Sequence, residues 1–235
     1  MILDTFKISQ FIIQINYPNA FELWDKAGDV NRQLQKIWPD IDILENKVSP
    51  QQVVLANDKT QIATGINQST LALTKINTID QNSSQIVDTF RIWRNELALT
   101  KLARISSRVL YVKEFPSVLD ANKELFALKL CRRPNTKVFD QPLDAPLNTI
   151  DITYRFEDKP SFAFLRIHVE QFTTNIEINS EFTALEKKSE TKNRLIIDFD
   201  RGLKESVDAV SFRMDEWIKG FSHLLRRDLE KVIKD

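Results

Sequence analysis

The stretch KISQFIIQINYPNAFELWDKAGDVNRQLQKIW, residues 7–38, holds a pattern that the chain uses twice. Phe11, Ile13, Ile15 and Tyr17 alternate with Ile12, Gln14 and Asn16, the period of a strand with one buried face. Pro18-Asn19 stops that strand, because Pro has no amide hydrogen for the ladder and Asn favours a helix N-cap. From residue 20 onward apolar side chains fall at 20, 23, 24, 27, 30, 34, 37 and 38. That is helical spacing, closed by Pro39. The same opening recurs at residues 108–130, RVLYVKEFPSVLDANKELFALKL, where Pro116-Ser117 supplies the break and the cap.

Working outward, the segments after each opening also correspond. Strand-like runs at 52–57, 61–66 and 70–76 follow the first, with turns at Asp58-Lys59 and Asn67-Gln68 and a further short strand at 40–44. A helix over about 84–105 closes the series, carrying Ile86, Phe90, Trp93, Leu97 and Leu102, with Ser83 or Ser84 as its cap. After the second opening come a Pro-rich loop from Pro134 to Pro146 and strands at 149–156, 162–170, 174–182 and 194–199. The polar run 186–193 separates the last two. A long amphipathic helix over 203–233 ends the chain, with Val207, Val210, Met214, Trp217, Phe221, Leu224 and Leu225 on one stripe. The expected class is therefore α+β, in two similar lobes, 1–105 and 106–235. Each lobe reads β-α-β(3–4)-α, with an antiparallel sheet packed on a long helix. Residue identities do not repeat, so a single α+β domain with this element order remains open.

The element order resembles the helix-grip fold, in which a curved sheet wraps a long C-terminal helix and often encloses an apolar ligand. It also resembles the saddle of the TATA-binding-protein fold, built from two such halves. Fold alone implies no function. Three local stretches look like a sporadically distributed family of uncharacterised bacterial proteins. They are the opening strand with Tyr17-Pro18, then Arg108-Val109-Leu110-Tyr111-Val112, then Ile197-Asp198-Phe199-Asp200 before a helix containing Phe221. That resemblance lends no catalytic residue.

Composition removes several chemistries. The chain has 235 residues but only 4 Gly, 2 His and 1 Cys, where average usage would place roughly 16 Gly. Gly28, Gly65, Gly202 and Gly220 lie too far apart for a phosphate-cradling loop. One Cys and two His cannot build a Cys/His zinc cage, so no metal and no cofactor is expected. Lys plus Arg and Asp plus Glu number 33 each, and zero net charge makes sequence-blind nucleic-acid binding a poor fit. The N-terminus lacks a basic n-region and a cleavage site, and no run reaches the ~18 apolar residues of a membrane span. The expectation is a cytoplasmic protein without a membrane partner.

The candidate site residues fall in a few groups. Arg166, His168 and Glu170 share one face of a strand, either as a polar pocket inside a curved sheet or as a solvated sheet side. Phe162 and Phe164 lie on that same face, while Leu165, Ile167 and Val169 take the other. One face would seal the core and the other would meet a partner, unless both are plain packing. Asp198 and Asp200, with Glu177 and Glu181 nearby, suggest paired carboxylates. Asp200 reads better as the N-cap of the last helix. Arg91, Arg94, Lys101 and Arg104 form one basic cluster, and Arg226, Arg227, Lys231 and Lys234 another. Each suits a protein or phosphate partner, or is simply a solvated face. Cys131 beside Arg132 and Arg133 has no nucleophile context. Gly28 and Gly220 inside helices suggest close approach of another backbone.

These residues point to a non-enzymatic binding or assembly protein acting through protein–protein contacts, self-association included. Arg91, Arg94, Phe162, Phe164, Trp217 and Phe221 are its candidate interface. The alternatives are a helix-grip binder of a small apolar ligand and an enzyme working through His168.

Overall fold

Alternation in the opening strand decides where the core sits. In the computed structural model, which describes residues 2–131, 150–158, 160–180 and 183–234, β1 (Lys7–Asn16) buries Phe11, Ile13 and Ile15 on one face. Tyr17 follows them inward, where its hydroxyl donates to the Gly65 carbonyl at 2.6 Å and meets Ser69 Oγ at 2.6 Å. Burial pushes that phenol up to about 12. α1 (Glu22–Ile37) then crosses the buried face. β2 (Asp42–Ile43), β3 (Gln52–Ala56), β4 (Thr60–Gly65) and β5 (Gln68–Thr74) form an antiparallel meander that returns to pair with β1. Its β3–β4 turn is held by the Asn57 side chain, which accepts from the amides of Lys59 and Thr60 at 2.9 and 2.7 Å.

α2 (Ser83–Glu96) is shorter than the spacing predicts. It ends where Ala98 adopts φ 49°, with Leu99 N–H bonding to the Arg94 carbonyl and Ala98 N–H to that of Asn95. This is a Schellman closure with Ala in the place that usually holds Gly. β6 (Lys101–Leu102) and β7 (Arg104–Phe115) come after it. Residues 97–105 are thus turn and strand instead of helix, and the division at 105/106 falls inside β7.

The second opening proceeds through α3 (Val118–Ala127), capped by Ser117 Oγ, which accepts from Asp120 N–H at 3.1 Å. Then come β8 (Asp151–Asp158), β9 (Ser161–Ser180), β10 (Thr183–Leu203), β11 (Val207–Asp208) and α4 (Met214–Lys234). The runs 162–170 and 174–182 belong to one strand, so three strands stand where four were expected. The polar run 186–193 lies within β10. Among the described residues, these two strands pair only with each other beyond Glu170 and Asn193, and a two-stranded ribbon needs no apolar face to continue its ladder. The expected Pro-rich loop lies outside the described residues.

Among the described residues, nine strands form one sheet in the order β2-β3-β4-β5-β1-β7-β10-β9-β8. β6 and β11 pair separately. The two series meet where β1 and β7 run antiparallel, so each occupies one side of that central pair. All four described helices cover one face. Trp93 donates to Thr64 at 3.0 Å, Trp217 to Ser107 at 2.8 Å, and Phe221 packs against Phe11 and Phe199 at 5.7 and 5.3 Å. α3 lies against β7, β9 and β10 on the same side. One core cluster spans both series, from Phe6 to Leu229. No described helix crosses the other face.

Candidate functional site

The helix-free face of the second series gathers most of the candidate residues, because strand alternation sends them there. On β9, Leu165, Ile167 and Val169 are buried beneath the helices. Phe162, Phe164, Arg166, His168 and Glu170 therefore project to the opposite side. On β10, Asp198 and Asp200 project with them, flanked by Arg108 of β7.

Asp198 is 2 % exposed and accepts two bonds from Arg108, from Nε at 2.8 Å and Nη2 at 2.6 Å. This fork-to-carboxylate geometry is the strongest ordinary ion pair. Arg166 lies across from Asp198 but binds Asp151 of β8, Nε reaching both carboxylate oxygens at 3.0 and 2.9 Å. Arg166 holds the Asp151 carboxyl below its usual range. His168 sits opposite Asp151, with Nε2 3.9 Å from Glu170. Burial, then the charge on Arg166, pushes its pKa below the ordinary value, and Nδ1 has no hydrogen-bond partner among the described residues. The trio is thus brought together, with Arg166 already engaged and the imidazole favoured in its neutral form.

Asp200 is not a helix cap. It lies in β10, and α4 begins only at Met214, because pairing with β7 and β9 carries the strand on to Leu203. Burial raises the Asp200 pKa, while Arg104 and Arg108 oppose that rise. Glu181 lies outside the described residues, as does the side chain of Glu177. Among the described residues no group of three or more His, Cys, Asp or Glu is placed to hold a metal.

At one end of this face, cations cover the two phenylalanines. Arg104 stands 4.9 Å and Lys204 5.9 Å from the Phe162 ring centre, and Arg155 is 5.5 Å from that of Phe164. A cavity of about 350 Å³ opens between them, with Asp200 in its wall. Gly202 lets Phe162 lie close to the sheet. A Cβ there would approach the ring's Cζ to 2.6 Å and the Ile105 carbonyl to 2.7 Å. Sequence reading singled out helical Gly28 and Gly220, yet a Cβ at those positions meets only arginine tips, at 3.7 and 3.8 Å. Among the described residues, no other backbone approaches either one.

The remaining interface candidates separate. Trp217 and Phe221 are buried core residues on the inner face of α4. Arg91 pairs with Asp88, and Arg94 reaches the Val210 carbonyl at 3.4 Å, both on the outer side of α2. Lys101 and Arg104 leave that cluster because they belong to strands. At the other basic cluster, Asp228 binds Arg227 at 2.6 Å and Lys231 at 3.2 Å. The Lys234 side chain lies outside the described residues. Burial raises the Cys131 thiol pKa, which favours the unreactive form.

A second and larger cavity, of about 750 Å³, lies between α4 and the helix-covered side of β8–β10. Arg166, His168 and Glu170 do not line it. Sequence reasoning passed over Arg155 and Arg201 altogether, and it used Arg108 only as part of a strand. Arg201 stands two positions from Phe199 on one strand, which the sequence displays; Arg108 and Arg155 meet Asp198 and Phe164 from other strands, which only register reveals. No described helix is long and apolar enough to cross a membrane. The chain matches no protein-family model and no curated protein.

Proposed function

We propose that the chain is a cytoplasmic binding or assembly protein that acts through protein–protein contact and performs no chemistry of its own. The observation that carries this reading is the helix-free face of β7–β10. There, half-buried Phe162 and Phe164 lie under Arg104, Lys204 and Arg155 beside a shallow cavity. Aromatic and arginine side chains clustered in a partly desolvated patch are the groups from which strong protein contacts are built.

The charge pattern selects the partner class. Arg104, Arg108, Arg155, Arg166 and Arg194 interleave with Glu114, Asp151, Glu170, Asp198 and Asp200. Such a surface suits a protein carrying both signs, a second copy of the chain included, and repels neither. A nucleic acid would need unopposed cations. The enzymatic alternative at His168 gains no support from geometry, since Arg166 and Asp151 neutralise each other and the ring lines neither of the two cavities.

Native mass spectrometry of the chain isolated from its own host tests the proposal. A complex with a protein, or a homo-oligomer, is expected. Phe164→Glu should dissociate it without lowering the unfolding temperature, while Thr70→Glu on the same face of β5 should not. A bare monomer, or a complex indifferent to Phe164→Glu, overturns the reading.

A further inference from the structure

The cleft beneath α4 differs in chemistry from the helix-free face. Its walls are Leu165, Phe199, Leu224, Leu225, Leu229 and Val232, and its volume of about 750 Å³ lies within the ~300–1,000 Å³ typical of small-molecule sites. Charged groups line its rim, and nearly all are matched. Glu157 pairs with Lys204 at 3.0 Å, and Asp228 pairs with Arg227 and Lys231.

Arg201 is the exception. It projects from β10 into the cleft with its guanidinium 4.7 Å from the Trp217 ring centre, and no carboxylate among the described residues pairs with it. Loss of solvent lowers its pKa. A guanidinium cannot shed its proton at ordinary pH, so a cation without a matching carboxylate among the described residues stands at the edge of an apolar slot. Stacking on an indole leaves the in-plane N–H fork free to accept a planar anion in two-pronged fashion.

We infer that this cleft binds an amphipathic monocarboxylate of the fatty-acid type, its chain between α4 and the sheet and its carboxylate on Arg201. The apolar walls take the chain by removing its surface from water. Arg201 supplies two charge-assisted hydrogen bonds where few waters compete. Discrimination arises from the same arrangement, because a cationic head would face an unpaired guanidinium and an uncharged one would leave that guanidinium unsatisfied.

Isothermal titration of the whole chain with dodecanoate, and separately with dodecyltrimethylammonium, tests this. Dodecanoate should bind one to one and the ammonium should not. Arg201→Gln should weaken dodecanoate by about tenfold or more, the worth of a charged hydrogen bond. Leu224→Trp, which fills the cleft from its solvent side, provides an independent route should Arg201→Gln fail to fold, and is expected to abolish binding. No dodecanoate binding, equal binding of the ammonium, or undiminished binding by either folded variant overturns the assignment.

Discussion

The two series put very different side chains on the same helix-free face of one sheet. On β1 and β5 the face is amide and hydroxyl around the apolar pair Ile12 and Ala72: Gln14 donates to Asn16 at 3.0 Å, Asn16 to Gln68 at 3.1 Å, and Thr70 lies alongside. On β7–β10 it is arginine, carboxylate and phenylalanine, with Asp198 almost fully buried against Arg108. The strand ladders are alike in both, because backbone bonding takes no notice of which side chain faces outward. The difference teaches that one half of the surface is a neutral, locally satisfied network. The other half commits desolvated charge, which makes it sensitive to single changes.

The largest expected effect breaks that contrast at its centre. Arg108→Leu leaves the Asp198 carboxylate buried and unpaired, and urea unfolding should show a loss of about 2 kcal/mol. Loss of a fully buried partner costs about 3–5 kcal/mol, and the half-exposed arginine lowers it. Gln14→Leu, its counterpart on β1, should change stability by less than about 0.5 kcal/mol. Equal losses from the two would show that the charged lattice is no more committed than the amide network.

Gly202→Ala comes next, at a cost of about 1–2 kcal/mol, since the Ile105 carbonyl cannot yield as a side-chain tip does. It should also displace Phe162, which crystallography of the variant would report. A smaller effect of opposite sign belongs to the first series. Ala98→Gly relieves a left-handed backbone at the end of α2 and should raise the unfolding free energy by about 0.5–1 kcal/mol.

The smallest effect concerns pH, and it also belongs to the charged half. His168 has a folded pKa below the ordinary 6.5, so the fold favours the neutral ring. Nothing is lost above 6.5, whereas below it the unfolded chain takes up a proton that the folded chain resists, and stability falls. His168→Gln should flatten that fall between pH 7 and 5 in thermal melts. An unchanged slope would show that the imidazole is as free as a solvated one.

Much of the fold was legible because local patterns and tertiary packing agreed. β1, α1 and the meander β3–β5 carry their periods, stops and turn residues in the chain itself, and Ser117 announces the start of α3. Elsewhere the pattern ran out. Ala98 carries no mark of a left-handed closure, since Gly usually fills that place. The polar stretch in β10 has no strand period, and its extension depends on a partner strand 22 or fewer residues away in sequence at Gln171 and beyond. Asp200 looked like a cap because it precedes the amphipathic stretch that starts at Leu203, with Glu205 placed for a first turn, but pairing on both sides kept it in the strand. The face shared by Phe162, Phe164, Arg166, His168 and Glu170 was readable from alternation. Its partners Arg108, Asp151 and Arg155 were not, because they arrive from other strands.

By itself, then, the sequence determined the α+β class and the side of each strand that turns inward, both of which derive from local periodicity. The scarcity of Gly, His and Cys likewise removed phosphate loops and Cys/His zinc cages without any fold being known. Only the tertiary structure decided that both series share one sheet, that Trp217 and Phe221 are core, and that Arg201 enters an apolar cleft with no matching carboxylate among the described residues. Those outcomes depend on register between strands and on which charges neutralise each other across them. Both are long-range facts that no window of neighbouring residues contains.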